Sequence, residues 1–225
     1  MLSYFLANES ESVTMNNHPE QFLTIQSTSE TVLEIKRSRF ICRAKHVTSV
    51  EEANQFIHEI NRKNHDATHH CYAYIIDSST QKSSDDGEPA GTAGRPILET
   101  LLQYSLLQSI VIITRYFGGI KLGAGGLVRA YREAAKLAIQ SAGIVQKKLH
   151  QQVILEFDYS FFGKIEHYVQ TSKLLHELPT FSNQVQWSVW VPTEQTNHFI
   201  PKMKDIAQGK IQIKLGKIRH KNVTS

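Results

Sequence analysis

Two cysteines in 225 residues, Cys42 and Cys71, show no Cys-x-x-Cys spacing. That sets aside a disulfide framework and a zinc ribbon and leaves the reduced thiols of a cytosolic protein. No stretch approaches the roughly 20 apolar residues of a membrane helix. Residues 1–14 lack a basic segment ahead of their short apolar run, so neither a membrane span nor a secretory leader is expected. A Gly-x-Ser-x-Gly elbow is absent, and neither cysteine advertises an exposed electropositive setting, so nucleophilic catalysis is not expected. The composition, 40% hydrophobic and 20% charged, is that of an ordinary soluble globular chain.

Net charge is only +4, too mild by itself to indicate an anionic partner. Its distribution is more informative. Residues 202–225 hold seven Lys or Arg (Lys202, Lys204, Lys210, Lys214, Lys217, Arg219, Lys221) against Asp205, so that tail carries +6 and the first 201 residues carry −2.

Residues 1–20 are polar and aperiodic and read as a disordered lead-in, with Met15 an alternative start. Alternation predicts strands over 22–25, 31–36 and 40–47. Ser49-Val50-Glu51-Glu52 is a capping-box pattern opening a helix to about Asn64, with Val50, Ala53, Phe56, Ile57 and Ile60 as its buried stripe. A strand over 71–76 puts Cys71 in the core. Residues 77–92 read as a long acidic loop containing Asp85, Asp86 and Glu88. A helix over 95–107, a central strand over 110–113, and a helix from about Leu127 to Ala142 stopped by Gly143 complete a domain over 21–148. Residues 149–225 follow the order βαββαβ, a ferredoxin-like unit with a poor second strand broken by Pro179. The boundary is placed where polar residues interrupt two apolar stretches, near Gln146–Gln151.

Residues 118–126 hold five of the twelve glycines: Gly118, Gly119, Gly123, Gly125 and Gly126. Glycines permit close backbone approach, and the helix that follows points free N–H groups back toward the loop. With Arg115, Tyr116, Lys121, Arg129 and Arg132 nearby, the segment has the chemistry of a phosphate cradle or, alternatively, of a tight strand-to-helix turn with solvated cations. It is neither a P-loop nor a dinucleotide fingerprint. His65 and His69 have the spacing of paired ligands on a helix, but the predicted helix ends before His69 and no third ligand has a diagnostic spacing, so no metal is expected. Trp187 alternates with core valines. Trp190, on the opposite face, is a sheet-packing residue or a stacking platform for a base.

The run from Asp85 to Pro96 (Asp-Asp-Gly-Glu-Pro-Ala-Gly-Thr-Ala-Gly-Arg-Pro) and the run from Arg115 to Gly123 together resemble the motifs of the IMPACT/YigZ family. Arg37-Ser38-Arg39-Phe40 and the set Ala67, His69, Cys71, Ala73 and Tyr74 precede them in the same order. The resemblance implies an α+β fold. Its N-terminal domain would be of the ribosomal protein S5 domain 2 type, a sheet covered on one face by helices, followed by a ferredoxin-like domain. Both resemble the last two domains of the translocation elongation factor, which touch RNA. Eukaryotic relatives regulate translation by competing for the activator of a kinase that modifies the initiation factor. They carry an extra N-terminal interaction domain that the two-domain bacterial type does not, so that pathway is not expected of this chain.

The expectation is therefore a cytoplasmic, non-enzymatic RNA- or ribosome-binding protein linked to translation, without a cofactor. Arg115, Lys121, Arg129 and Arg132 would hold phosphates beside the glycines, Arg37, Arg39, His69 and Arg95 would extend the contact, and the basic tail would anchor it. Two other readings compete. One is a magnesium-dependent phosphotransferase or hydrolase using Asp85, Asp86 or Glu88. The other is a protein-interaction module that presents the acidic loop.

Overall fold

The structure, a computed structural model, describes residues 19–223. The lead-in expected over 1–20 and the alternative start at Met15 lie outside the described residues, apart from Pro19 and Glu20. The fold is α+β, with two antiparallel sheets.

In chain order the first half comprises β1 (Gln21–Ile25), β2 (Ser29–Ile35), β3 (Ser38–His46), α1 (Val50–Lys63), β4 (His69–Ile75), β5 (Gln81–Ser84), α2 (Gly94–Gln103), β6 (Ser109–Tyr116) and α3 (Ala124–Ala142). Five strands form one sheet in the order β2-β3-β6-β4-β5. β6 is central and buried on both faces, as its unbroken Ile-Val-Ile-Ile run demands. On one face Cys71, Ala73, Ile75, Val111 and Ile113 pack against α2 and α3. The alanines of α3 (Ala130, Ala134, Ala135, Ala138) are buried, and their small side chains let it lie close to the sheet. The resemblance implied this one helical layer; the structure adds α1 on the opposite face, where Phe56, Ile57 and Ile60 meet Tyr74, Ile110 and Ile112.

The cap of α1 follows the capping-box logic with a shift of one residue. Ser49 Oγ accepts from Glu52 N at 3.2 Å, and the Glu52 carboxylate accepts from Thr48 N at 2.7 Å rather than from the Ser49 amide. Gly143 ends α3 at φ 72°.

The second half comprises β7 (Ile144–Phe157), α4 (Phe162–Thr171), β8 (Leu175–His176), β9 (Thr180–Phe181), β10 (Val185–Pro192), α5 (Thr196–Ile206) and β11 (Ile211–Asn222). β7 lies between β10 and β11, and β10 carries β8 and β9, the two fragments of the strand interrupted around Pro179. Trp187, Val189 and Val191 meet Ile165, Val169, Phe199 and Met203 of the two helices in a separate core.

Several elements differ from expectation. The acidic loop is interrupted by β5, a polar edge strand that alternation does not reveal. α2 stops at Gln103, four residues early, where Ser105 takes φ 53°. β7 starts at Ile144, so the boundary expected near Gln146–Gln151 falls inside a strand. β1 pairs with Ile144–Lys148 of β7 and so belongs to the second sheet although it begins the described chain. The sheets also meet through side chains. His46 Nδ1 lies 2.8 Å from the Gln108 carbonyl and its Nε2 lies 2.7 Å from Lys147 Nζ. A carbonyl only accepts, so Nδ1 carries the ring proton and Nε2 receives the lysine N–H.

Candidate anion site at the start of α3

The glycine-rich segment connects the end of β6 to α3, and its glycines serve different purposes. A Cβ on Gly118 would lie 2.0 Å from the Arg37 carbonyl oxygen, so the segment's backbone is pressed against the turn between β2 and β3. Ser38 Oγ fastens the contact, accepting from Gly118 N and from Arg115 Nη2, both at 3.3 Å. Gly119 and Gly123 lie at φ 82° and 71°, and Gly123 is the cap residue of α3. Gly125 and Gly126, expected in the loop, are already helical, because α3 starts at Ala124 rather than near Leu127. Among the described residues no side chain caps this helix start, so its first N–H groups and the positive end of its dipole are left for another acceptor.

The acidic segment turns inward. Asp85 accepts N–H bonds from Gly91, Ala93 and Gly94 at 2.8, 2.9 and 2.8 Å, closing the loop over the start of α2. Burial would raise its carboxyl, but these three bonds outweigh that and hold it below the usual carboxylate range. Asp86 accepts from the His70 amide, and its own carbonyl faces His69 Nδ1 at 2.7 Å. Glu88 is buried; its Oε1 receives Arg115 Nη1 at 2.5 Å and the Tyr131 hydroxyl at 2.8 Å, while its Oε2 lies 3.9 Å from His69 Nε2. Each carboxylate that a magnesium or acidic-recognition reading needs thus holds part of the protein itself. Among the described residues no cluster of His, Cys, Asp and Glu is arranged to hold a metal ion.

The expected cations separate into three groups. Arg115 is 4% exposed and forms an internal ion pair, with its guanidinium 5.4 Å from the rings of Phe40 and Phe117. Arg95 and Arg132 share Glu99 at 3.0 and 2.9 Å and so clamp α2 to α3. Lys121, Arg129, Arg37 and Arg39 are exposed and form no ion pair among the described residues. Tyr116 alternates away from Arg115 and donates to Asp66 at 2.9 Å on the α1 side. Arg115, Lys121, His69 and Gly123 line one cavity of about 330 Å³ together with Glu88, Pro89, Phe117, Leu122, Ala124 and Leu127. Arg129 is outside that lining, one turn along α3, and its Nη1 reaches within 3.8 Å of where a Gly125 Cβ would stand.

Sequence reasoning missed the buried partners of this site. Cys71 Sγ donates to the Asp85 carbonyl at 3.0 Å and contacts the Tyr131 hydroxyl at 3.3 Å, joining the loop to α3. Burial pushes both the Cys71 thiol and the Tyr131 phenol up, so both stay protonated donors. One signal was present: Arg115 follows Val111 and Ile113 at alternate positions of β6, on the face toward the core, and a cation there requires a carboxylate.

The second-half candidates also resolve. Trp190 is 6% exposed, donates to Glu177 Oε1 at 3.3 Å and has Lys221 Nζ 4.0 Å from its ring, so it packs the sheet rather than offering a free stacking face. The basic tail is divided between the end of α5, which carries Lys202 and Lys204, and strand β11, with Lys214, Lys217 and Arg219 exposed along it. Among the described residues no helix is long and apolar enough to cross a membrane.

Comparison with known proteins gives a consistent result. Residues 36–139 match the Impact N-terminal domain. The chain is 39% identical over 201 residues to the IMPACT family member YvyE of Bacillus subtilis (strain 168), covering 88% of this chain and 93% of that one. It is 34% identical over 188 residues to the IMPACT family member YigZ of Escherichia coli (strain K12), covering 81% and 91%. A crystal structure of a hypothetical protein aligns over 87% of this chain and 97% of its own, at 32% identity and a TM-score of 0.59.

Proposed function

The chain belongs to the IMPACT family, and from that premise we propose that it is a non-enzymatic RNA-binding protein, acting on the ribosome or another structured RNA in translation. One observation carries the reading. Lys121 and Arg129 are exposed at the start of α3 with no acidic partner among the described residues, and Arg37 is exposed in the turn that touches Gly118, while the neighbouring carboxylates are engaged internally. Arg39, paired across from Tyr116, is exposed on the other face of the sheet. Exposed cations around free backbone N–H groups suit phosphate oxygens, which position a nucleic acid without reading its sequence. The exposed lysines of β11 extend the same chemistry. Arg95 and Arg132, neutralised by Glu99, contribute little to it.

Binding to ribosomes and to a structured RNA, measured across salt concentrations, tests this. Affinity is expected to fall steeply with salt, and Lys121→Ala with Arg129→Ala to lower the slope of log K against log salt by about 2. Absent binding, or binding indifferent to salt, would overturn it.

A further inference from the structure

The cavity at the start of α3 has two kinds of wall. Pro89, Phe117, Leu122 and Leu127 are apolar; His69, Glu88, Arg115, Lys121 and the first residues of α3 are polar. Phe117 is 45% exposed, an aromatic ring that the core does not absorb. Beneath it the buried Arg115, itself part of the lining, keeps an Nε–H with no acceptor among the described residues. Glu88 neutralises Arg115, so the excess charge at the cavity is Lys121 together with the helix end, roughly half an elementary charge. That combination favours a compact anion attached to a flat apolar group, and about 330 Å³ is in the range of small-molecule sites.

We propose that this cavity binds one nucleotide, with its phosphate at Lys121 and the N-terminus of α3 and its base against Phe117. The inference rests on the RNA-binding reading for the source of that nucleotide, a 5′-phosphorylated RNA end; a free mononucleotide has the same chemistry.

The test uses the full chain labelled for amide NMR and titrated with AMP, adenosine and inorganic phosphate. 5′-phosphorylated and 5′-hydroxyl forms of one oligoribonucleotide are compared in parallel. AMP is expected to move the Gly123–Gly126 amides and to bind about tenfold more tightly than adenosine. Phe117→Ala should weaken AMP about tenfold. Ala124→Phe, which fills the cavity from an exposed position, should abolish AMP binding without lowering the melting temperature. A 5′-phosphate preference lost in Ala124→Phe supports the RNA end as source; AMP binding without that preference supports the site with a free nucleotide as its ligand. No response of these amides to millimolar AMP, or AMP affinity unchanged in Ala124→Phe, overturns the proposal. If long 5′-hydroxyl RNA still binds in salt-dependent fashion while AMP does not, only the cavity assignment fails. If AMP binds and long RNA does not, only the RNA-binding reading fails.

Discussion

Glu88 and Arg115 are 27 residues apart in the chain and meet in a buried ion pair, Oε1 to Nη1 at 2.5 Å, with side chains only 3% and 5% exposed. Tyr131 adds a second donor to the same oxygen and Ser38 a second acceptor to the guanidinium. The acidic segment, the end of β6, α3 and the start of β3 are thereby joined at one point.

Removing one partner leaves a charge buried and uncompensated. Glu88→Ala is expected to destabilise the protein by about 3–5 kcal/mol, read from the urea midpoint at neutral pH. Glu88→Leu combined with Arg115→Met should recover much of that loss, because no lone charge remains.

Asp85 gives a pH dependence of known sign. Its folded-state pKa is depressed, so its contribution is present above the unfolded value of about 3.9 and is lost as pH falls through the lower folded value. Asp85→Asn should lower stability at pH 7 and show a smaller loss than the parent between pH 4 and pH 2, measured by urea unfolding at each pH.

His46 and Lys147 at the junction of the sheets behave as a pair. Burial, then the Lys147 ammonium, push the His46 ring below its usual value, and burial does the same to Lys147. An unfolded His46 takes up a proton near pH 6.5 before the folded one does, so this junction weakens as pH falls from there toward the folded value. Lys147→Met should raise the His46 pKa, followed by NMR titration of its ring protons; an unchanged or lower value would contradict this arrangement.

The glycines of the connecting segment should respond in opposite directions. Gly118→Ala drives a Cβ into the Arg37 backbone and should cost about 1–3 kcal/mol. Gly125→Ala, in the first turn of α3 with only an ordinary contact to Arg129, should stabilise by about 0.5–1 kcal/mol. Thermal unfolding of the two variants beside the parent checks both signs.

What was legible in the sequence was local. The Ser49 cap, the apolar stripe of α1, the central run of β6 and the stop at Gly143 each depend on a few consecutive residues, and each is found where expected. What was missed depends on distant partners. Gln-Lys-Ser-Ser becomes β5 because β4 offers it an edge, and Ile-Val-Gln-Lys-Lys becomes the start of β7 because β1 and β11 pair with it. Neither segment has an apolar alternation of its own.

The motif residues divide in the same way. From sequence alone, the acidic run, the glycines and the basic residues identify the family and place a helix start beside positive charge. Only the tertiary structure sorted those charges: Arg115 joins Glu88 in the interior, Arg95 and Arg132 share Glu99, and Lys121 and Arg129 remain exposed to solvent. Periodicity and capping act over a turn or a strand, whereas the state of a charge depends on which carboxylate a remote segment brings to it and how much water is displaced when it arrives.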